Sequence, residues 1–174
     1  RMFGSDNGAR MLFDGRRASP LGAALAGGLM IDSLDCHDGH VLVKGHVGVA
    51  VLPALLALID GGCVIDEREF VTALVLGYEI ATRAGIALHS TACDYHSSGA
   101  WNALACAALG ARLLKLDAAQ TWHALGIAEY HGPRSQIMRV VDYPTMIKDG
   151  SGWGAMAGLS AAYLAADGFT GAPA

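Results

Sequence analysis

Apolar positions recur at helical spacing along most of the chain, and polar residues gather in three short segments between the helical runs. After Ser19-Pro20, a cap with proline at the first helical position, residues 21–34 read as a small-residue helix. Val41-Leu42-Val43 and residues 47–51 have the local propensity of a hairpin. Pro53 and the Ala/Leu run to Ile59 favour instead a loop that feeds a second helix, stopped by Gly61-Gly62. Asp66 stands three residues before Glu69 in capping-box form, and Phe70, Val71, Leu74, Val75 and Tyr78 follow at helical spacing. A further helix is expected over residues 98–115, where Gly99, Ala103, Ala107 and Ala111 make a smooth stripe that lets another helix come close. Asp117 and Gln120 repeat the capping-box form ahead of a helix to about Ala128, and residues 154–166, ending at Gly168, make the last one. Residues 1–17, with Gly4, Gly8 and Gly15 among polar neighbours, read as an irregular opening segment, and residues 130–151 as a loop. The pattern predicts one all-α domain of five or six helices over residues 1–174.

Composition narrows the partners. A net charge of -4, with no basic cluster larger than Arg16-Arg17, argues against a nucleic-acid surface. Cys36, Cys63, Cys93 and Cys106 are widely spaced and form no CxxC, the usage of a reduced, cytoplasmic protein. The longest uncharged runs fall short of the roughly twenty residues that cross a bilayer, so no membrane segment is expected. The chain opens on Arg1 and closes on a run leading away from a helix, which reads as part of a longer enzyme. Its 53% hydrophobic and 16% charged residues suggest apolar surface covered by further segments or by a second subunit.

The polar segments carry the candidate chemistry. Residues 35–46, DCHDGHVLVKGH, hold two aspartates, a cysteine, a lysine and three of the seven histidines. Asp35, Asp38, His37 and His40 have the residue types of a divalent-metal site, whereas an acid–base role needs only one imidazole poised by Asp35 or Asp38. Capping and turn formation by Asp38-Gly39 is the plain alternative. In Asp94-Tyr95-His96-Ser97-Ser98-Gly99, His96 lies just ahead of a helix whose free N–H groups suit a substrate carboxylate, or else a serine there merely caps the helix. In the third segment Arg134, Arg139 and Lys148 suit a carboxylate clamp, with Lys148 best placed before small residues that let a ligand approach.

The ordered blocks DCHDGH, KGH with VLPALLAL, GYEIATR, YHSSGAW, ALGIAEYHGPRSQIMR and PTMIKDGSGWGAMAGLSAAYLA with GFTG resemble the MmgE/PrpD family across nearly the whole chain. That family includes 2-methylcitrate dehydratase, cis-aconitate decarboxylase and iminodisuccinate epimerase. The resemblance implies a cytoplasmic homodimer, with a large helical domain and a smaller α/β domain closing over it. This chain matches the central part of the helical domain and lacks the α/β lid. It also implies proton transfer at a carbon next to the carboxylates of a small polycarboxylic acid, without organic cofactor or metal. Position by position it marks Asp35, His46, His96 and Lys148 as catalytic, with Asp38, His40, Tyr95, Ser97 and Arg139 expected around the substrate. Cys36-His37 stands where aromatic and acidic residues are common, and Val47 where proline is frequent. The DGH…KGH and YHSSGAW wording lies closer to the epimerase-like branch. Two rivals stand beside this reading: a non-catalytic helical dimerisation or binding fragment, and a metal-dependent hydrolase built on residues 35–46.

Overall fold

The computed structural model describes residues 2–174. Among them, a two-stranded sheet, β1 (Gly4–Arg10) and β2 (Arg17–Ala18), precedes seven helices: α1 (Pro20–Leu34), α2 (Gly48–Asp60), α3 (Glu67–Thr91), α4 (Gly99–Leu113), α5 (Ala118–His131), α6 (Met138–Asp142) and α7 (Ser151–Ala166). The fold is all-α, with α7 at its centre against α1, α2, α4 and α5, and α3 laid across α2 and α4.

Two expectations need correction. Residues 4–18 form an antiparallel hairpin, with Arg10 opposite Arg17 and an irregular register between Gly4 and Ala9, rather than irregular chain; Arg1 lies outside the described residues. Tertiary contacts supply what strand propensity lacks. Arg17 donates to the Gly8 carbonyl at 2.7 Å, and Arg10 is forked onto Asp60 at the end of α2 (2.7 Å). Residues 130–151 also hold the short α6, and α5 runs on to His131, past Ala128.

The caps follow the sequence closely. Ser19 accepts from Gly22 at 3.2 Å with Pro20 in the first turn of α1. Asp66 accepts from the Glu69 N–H, but Glu69 turns its carboxylate to Arg112 of α4 (2.9 Å), so the box is half made. Asp117 and Gln120 complete theirs, at 2.8 and 3.1 Å. Asp117→Ala should therefore lower the unfolding free energy by about 1 kcal/mol, read from the urea midpoint; an unchanged midpoint would mean the box contributes nothing.

The smooth stripe on α4 is what α7 packs against. A Cβ on Gly154 would lie 2.5 Å from the Gly99 carbonyl oxygen, and one on Gly158 2.4 Å from that of Ala103. At the other face of α7, a Cβ on Gly28 of α1 would lie 2.5 Å from the Gly152 Cα. Glycine thus brings three helix backbones together at the start of α7.

Among the described residues one helix, α3, is long and apolar enough by length and composition to cross a membrane, though charged residues interrupt it. It carries Glu79 and Arg83 paired at 2.8 Å, charges that are costly inside a bilayer. Its small residues Ala73, Gly77, Ala81 and Gly85 are buried, while Val71, Val75, Tyr78 and Ile86 are exposed along the outer side.

Candidate functional site

Residues 35–46 leave α1 through Asp35, whose left-handed backbone (φ 51°) ends the helix. That conformation is one aspartate tolerates better than most residues. Val43 is the anchor of the loop: it is fully buried and lies against Gly85, in the same core cluster as Trp101, while Val41 and Leu42 stay exposed. Gly45 lets the loop lie against Ser98 and Trp101.

This packing fixes His46. Its N–H donates to the Ser98 hydroxyl (3.3 Å), and its carbonyl accepts from Asn102 (2.8 Å). The ring Nδ1 meets the Asp38 carbonyl. A carbonyl only accepts, so Nδ1 carries the proton and Nε2 is the free lone pair of the neutral ring. His37 stacks on the same ring, centroids 3.6 Å apart, and its Nε2 lies 3.4 Å from Asp35. Asp35 therefore reaches His46 through His37 rather than directly.

Asp38 turns its carboxylate to the N–H groups of Val47 (3.1 Å) and Gly48 (3.3 Å), capping α2. Burial and then the hydrogen bond with Asp38 push the Tyr78 hydroxyl up to about 12. His40 is exposed and pairs by backbone with Gly45.

The second segment is the hub on which the other two meet. The Tyr95 hydroxyl donates to the Lys44 carbonyl, and its pKa is raised by burial and then by Asp149. His96 is 5% exposed, bridges by backbone to Gln136, and has Nε2 3.6 Å from Asp94. Its Nδ1 is buried without a partner. The Ser97 hydroxyl donates to Asp149 (2.6 Å), which also accepts the Ser98 N–H (3.1 Å). The α4 N-terminus, expected to receive a substrate carboxylate, is thus already capped by the chain's own Asp149.

Lys148 and Arg139 line a cavity of about 840 Å³ with Ser97, Gln136, Asp149 and an apolar wall that includes Leu29, Ile147 and Trp153. Asp142 also lines it; with Asp149 already engaged by Ser97 and Ser98, the two cations of a mostly apolar cavity suit a small anionic ligand with a carbon skeleton. Asp35, His46 and His96 do not line this cavity, which Ser97 reaches next to His96, and among the described residues no hydrogen bond or ion pair links His46, His96 and Lys148 to one another. The three segments converge through backbone and serine hydroxyls. Among the described residues no three His, Cys, Asp or Glu side chains are grouped to hold a metal ion, so the hydrolase reading finds no ligand set in residues 35–46.

Two functional candidates were missed. Asp149 sits beside Lys148 and organises the start of α4. Asp32 is buried on α1, accepts from Ser151 at 3.3 Å, and leaves Oδ2 without a partner. Burial first, then Asp149, raise the Asp32 carboxyl to about 7. An unfolded aspartate loses its proton near 4, so the folded state holds the extra proton between about 4 and 7. Asp32 consequently costs stability as pH rises through that window, and the cost levels off above about 7. Asp32→Asn should be more stable than the parent by an amount that grows from pH 5 to pH 8, on the order of 4 kcal/mol at the upper end. Urea unfolding at both pH values measures it, and a difference independent of pH sinks the assignment.

The model of the MmgE/PrpD N-terminal domain matches residues 1–174. The cis-aconitate decarboxylase-like protein oryM of Aspergillus oryzae is 30% identical over 166 residues, covering 90% of this chain and 34% of that protein. Cis-aconitate decarboxylase of Aspergillus terreus is 28% identical over 126 residues, covering 68% of this chain and 26% of that protein. The chain thus spans between a quarter and a third of the length of these curated relatives. With the domain model matched from end to end and an all-α fold that agrees with it, the chain belongs to the MmgE/PrpD family of dehydratase- and decarboxylase-type enzymes.

Proposed function

We propose that the chain is the helical domain of a cofactor-independent acid–base enzyme acting at a carbon next to the carboxylates of a small polycarboxylic acid. The observation that carries this is the cavity of about 840 Å³ faced by Lys148 and Arg139. Ser97, which lines it, directly follows the buried His96, whose Nδ1 has no partner, in a family whose relatives above are named for cis-aconitate.

In this reading one histidine takes the proton from the carbon, or the carbon's own carboxyl leaves as CO₂. The electron pair left behind spreads onto the neighbouring carboxylate, which the two cations hold. The second histidine returns a proton. His46, with Nε2 free, and His96 are the pair, Asp35 acts on His46 through His37, and Lys148 clamps the carboxylate. Tyr95 and Ser97 hold the loop and helix around them.

The test is turnover of cis-aconitate, 2-methylcitrate and iminodisuccinate by the natural full-length protein, followed by proton NMR with and without a chelator. Turnover of at least one, undiminished by the chelator, is expected. No turnover of any, or turnover abolished by chelation, overturns the reading.

The exposed apolar side of α3 favours a second reading, a helical unit that docks on another surface such as a second copy. It predicts self-association by size exclusion without turnover of any of the three acids.

A further inference from the structure

We propose that Asp32 is a positioning residue of this site: a buried carboxyl that ties the end of α1 to the corner formed by residues 148–151 and sets, by its charge, how Lys148 is presented to the cavity. The inference rests on the acid–base reading above.

Asp32 is the one charged residue in α1, whose other positions are small, apolar or a serine. It is 2% exposed, although a charge there needs partners that the helix does not offer. Gly28, one turn earlier, touches Gly152, so Asp32 is carried to the start of α7. There the buried Ser151 hydroxyl donates to Oδ1, and Oδ2 is left without a partner.

The charged groups acting on Asp32 are Asp149, which opposes its ionisation, and Lys148, which favours it. Just past α1, Asp35 donates its N–H to the Asp32 carbonyl (3.2 Å) and turns an exposed carboxylate to His37; the other elements packed on α1 add no charge nearby. On α2 the only charge, Asp60, belongs to the far end, where Gly61 meets Pro20, and is held by Arg10. The hairpin meets α1 at Gly22, through Phe3 and Ala18, and at Gly27, through Leu12 of its loop. Within α7 itself there is no charged residue.

Asp149 is engaged by Ser97 and Ser98 at the α4 N-terminus. While Asp32 is neutral, the Lys148 ammonium is left for an anion in the cavity. Once Asp32 ionises, it competes for that ammonium and draws it towards α1. The clamp on a substrate carboxylate therefore weakens as pH rises through neutrality.

The experiment uses the natural full-length protein, with cis-aconitate as the probe. In the parent, KM should rise several-fold between pH 6 and pH 8, with kcat changing less; in Asp32→Asn the rise should vanish. A second readout needs no turnover: the side-chain NMR signal of Lys148, assigned through Lys148→Arg. The parent should show a step near neutral pH that Asp32→Asn lacks. Ser151→Ala, which removes the hydrogen bond that favours the charged carboxylate, should move the step to higher pH and serves if Asp32→Asn does not fold. Loss of the Lys148 step in Asp32→Asn without turnover of any substrate leaves the coupling standing and removes the acid–base reading. Identical KM profiles and identical Lys148 titrations in parent and variant, or a step unmoved by Ser151→Ala, overturn the proposal.

Discussion

Replacing His96 by glutamine in the natural full-length protein should lower kcat/KM for the acid it turns over by roughly 10²–10⁴-fold, the usual contribution of a positioned acid or base. His96 is held by its surroundings rather than by its own hydrogen bonds. Its backbone bridges to Gln136, its Nε2 is 3.6 Å from Asp94, too long for a hydrogen bond, and its Nδ1 has no partner. An imidazole with a buried free nitrogen, next in the chain to the cavity-lining Ser97, can take or give a proton. Glutamine fills much of the same space and keeps a donor and an acceptor, but cannot transfer a proton near neutral pH. The substitution therefore separates chemistry from packing: circular dichroism and the unfolding midpoint should stay close to the parent's while turnover falls. Near-normal turnover would remove His96 from the mechanism, and a lost fold would require His96→Asn as the replacement test.

The site was legible where one residue's chemistry is local and illegible where it depends on a distant partner. Asp66 and Asp117 cap the helices that follow them because a side-chain oxygen three residues before a free N–H needs no tertiary help. The loop reading of residues 41–47 held because Pro53 sits inside α2, whose first residue is Gly48. Which of Val41, Leu42 and Val43 enters the core was not legible, since that is set by Gly85 and Trp101 on other helices. Asp149 escaped notice for the same reason. Of the serines ahead of α4, Ser97 does accept the Gly99 N–H (3.2 Å), but Ser98 makes no side-chain cap bond and the capping carboxylate comes from about fifty residues away in sequence. Asp32 looked like an ordinary polar position near a helix end, and only the close contact of Gly28 with Gly152 shows that this end is buried. The hairpin was missed because Gly8, which would weaken a strand in isolation, here admits the Ala18 carbonyl of the opposite strand.

The same distinction between backbone and side-chain obstacles makes the α4–α7 seam a sharp test of the packing. Gly158→Ala should cost about 3 kcal/mol or more and leave little folded protein, because the new methyl would lie 2.4 Å from the Ala103 carbonyl oxygen and 2.8 Å from the Ala107 nitrogen. Those atoms belong to the α4 backbone, so truncating Ala103 to glycine removes none of the conflict and Ala103→Gly should not rescue it. Gly110 on the same seam is different. Its added methyl would meet the Ala162 Cβ at 2.5 Å, with the Leu159 side chain next at 3.6 Å. Gly110→Ala alone should therefore destabilise by about 1–3 kcal/mol, and Ala162→Gly alone by about 1 kcal/mol through helix propensity. Together they exchange one methyl for another across the interface, so the pair should be more stable than the sum of the singles by roughly 1–2 kcal/mol. Urea unfolding of the four proteins in each cycle measures both couplings. Additive losses in the Gly110–Ala162 cycle, or rescue of Gly158→Ala by Ala103→Gly, would mean that α4 and α7 do not meet in this register.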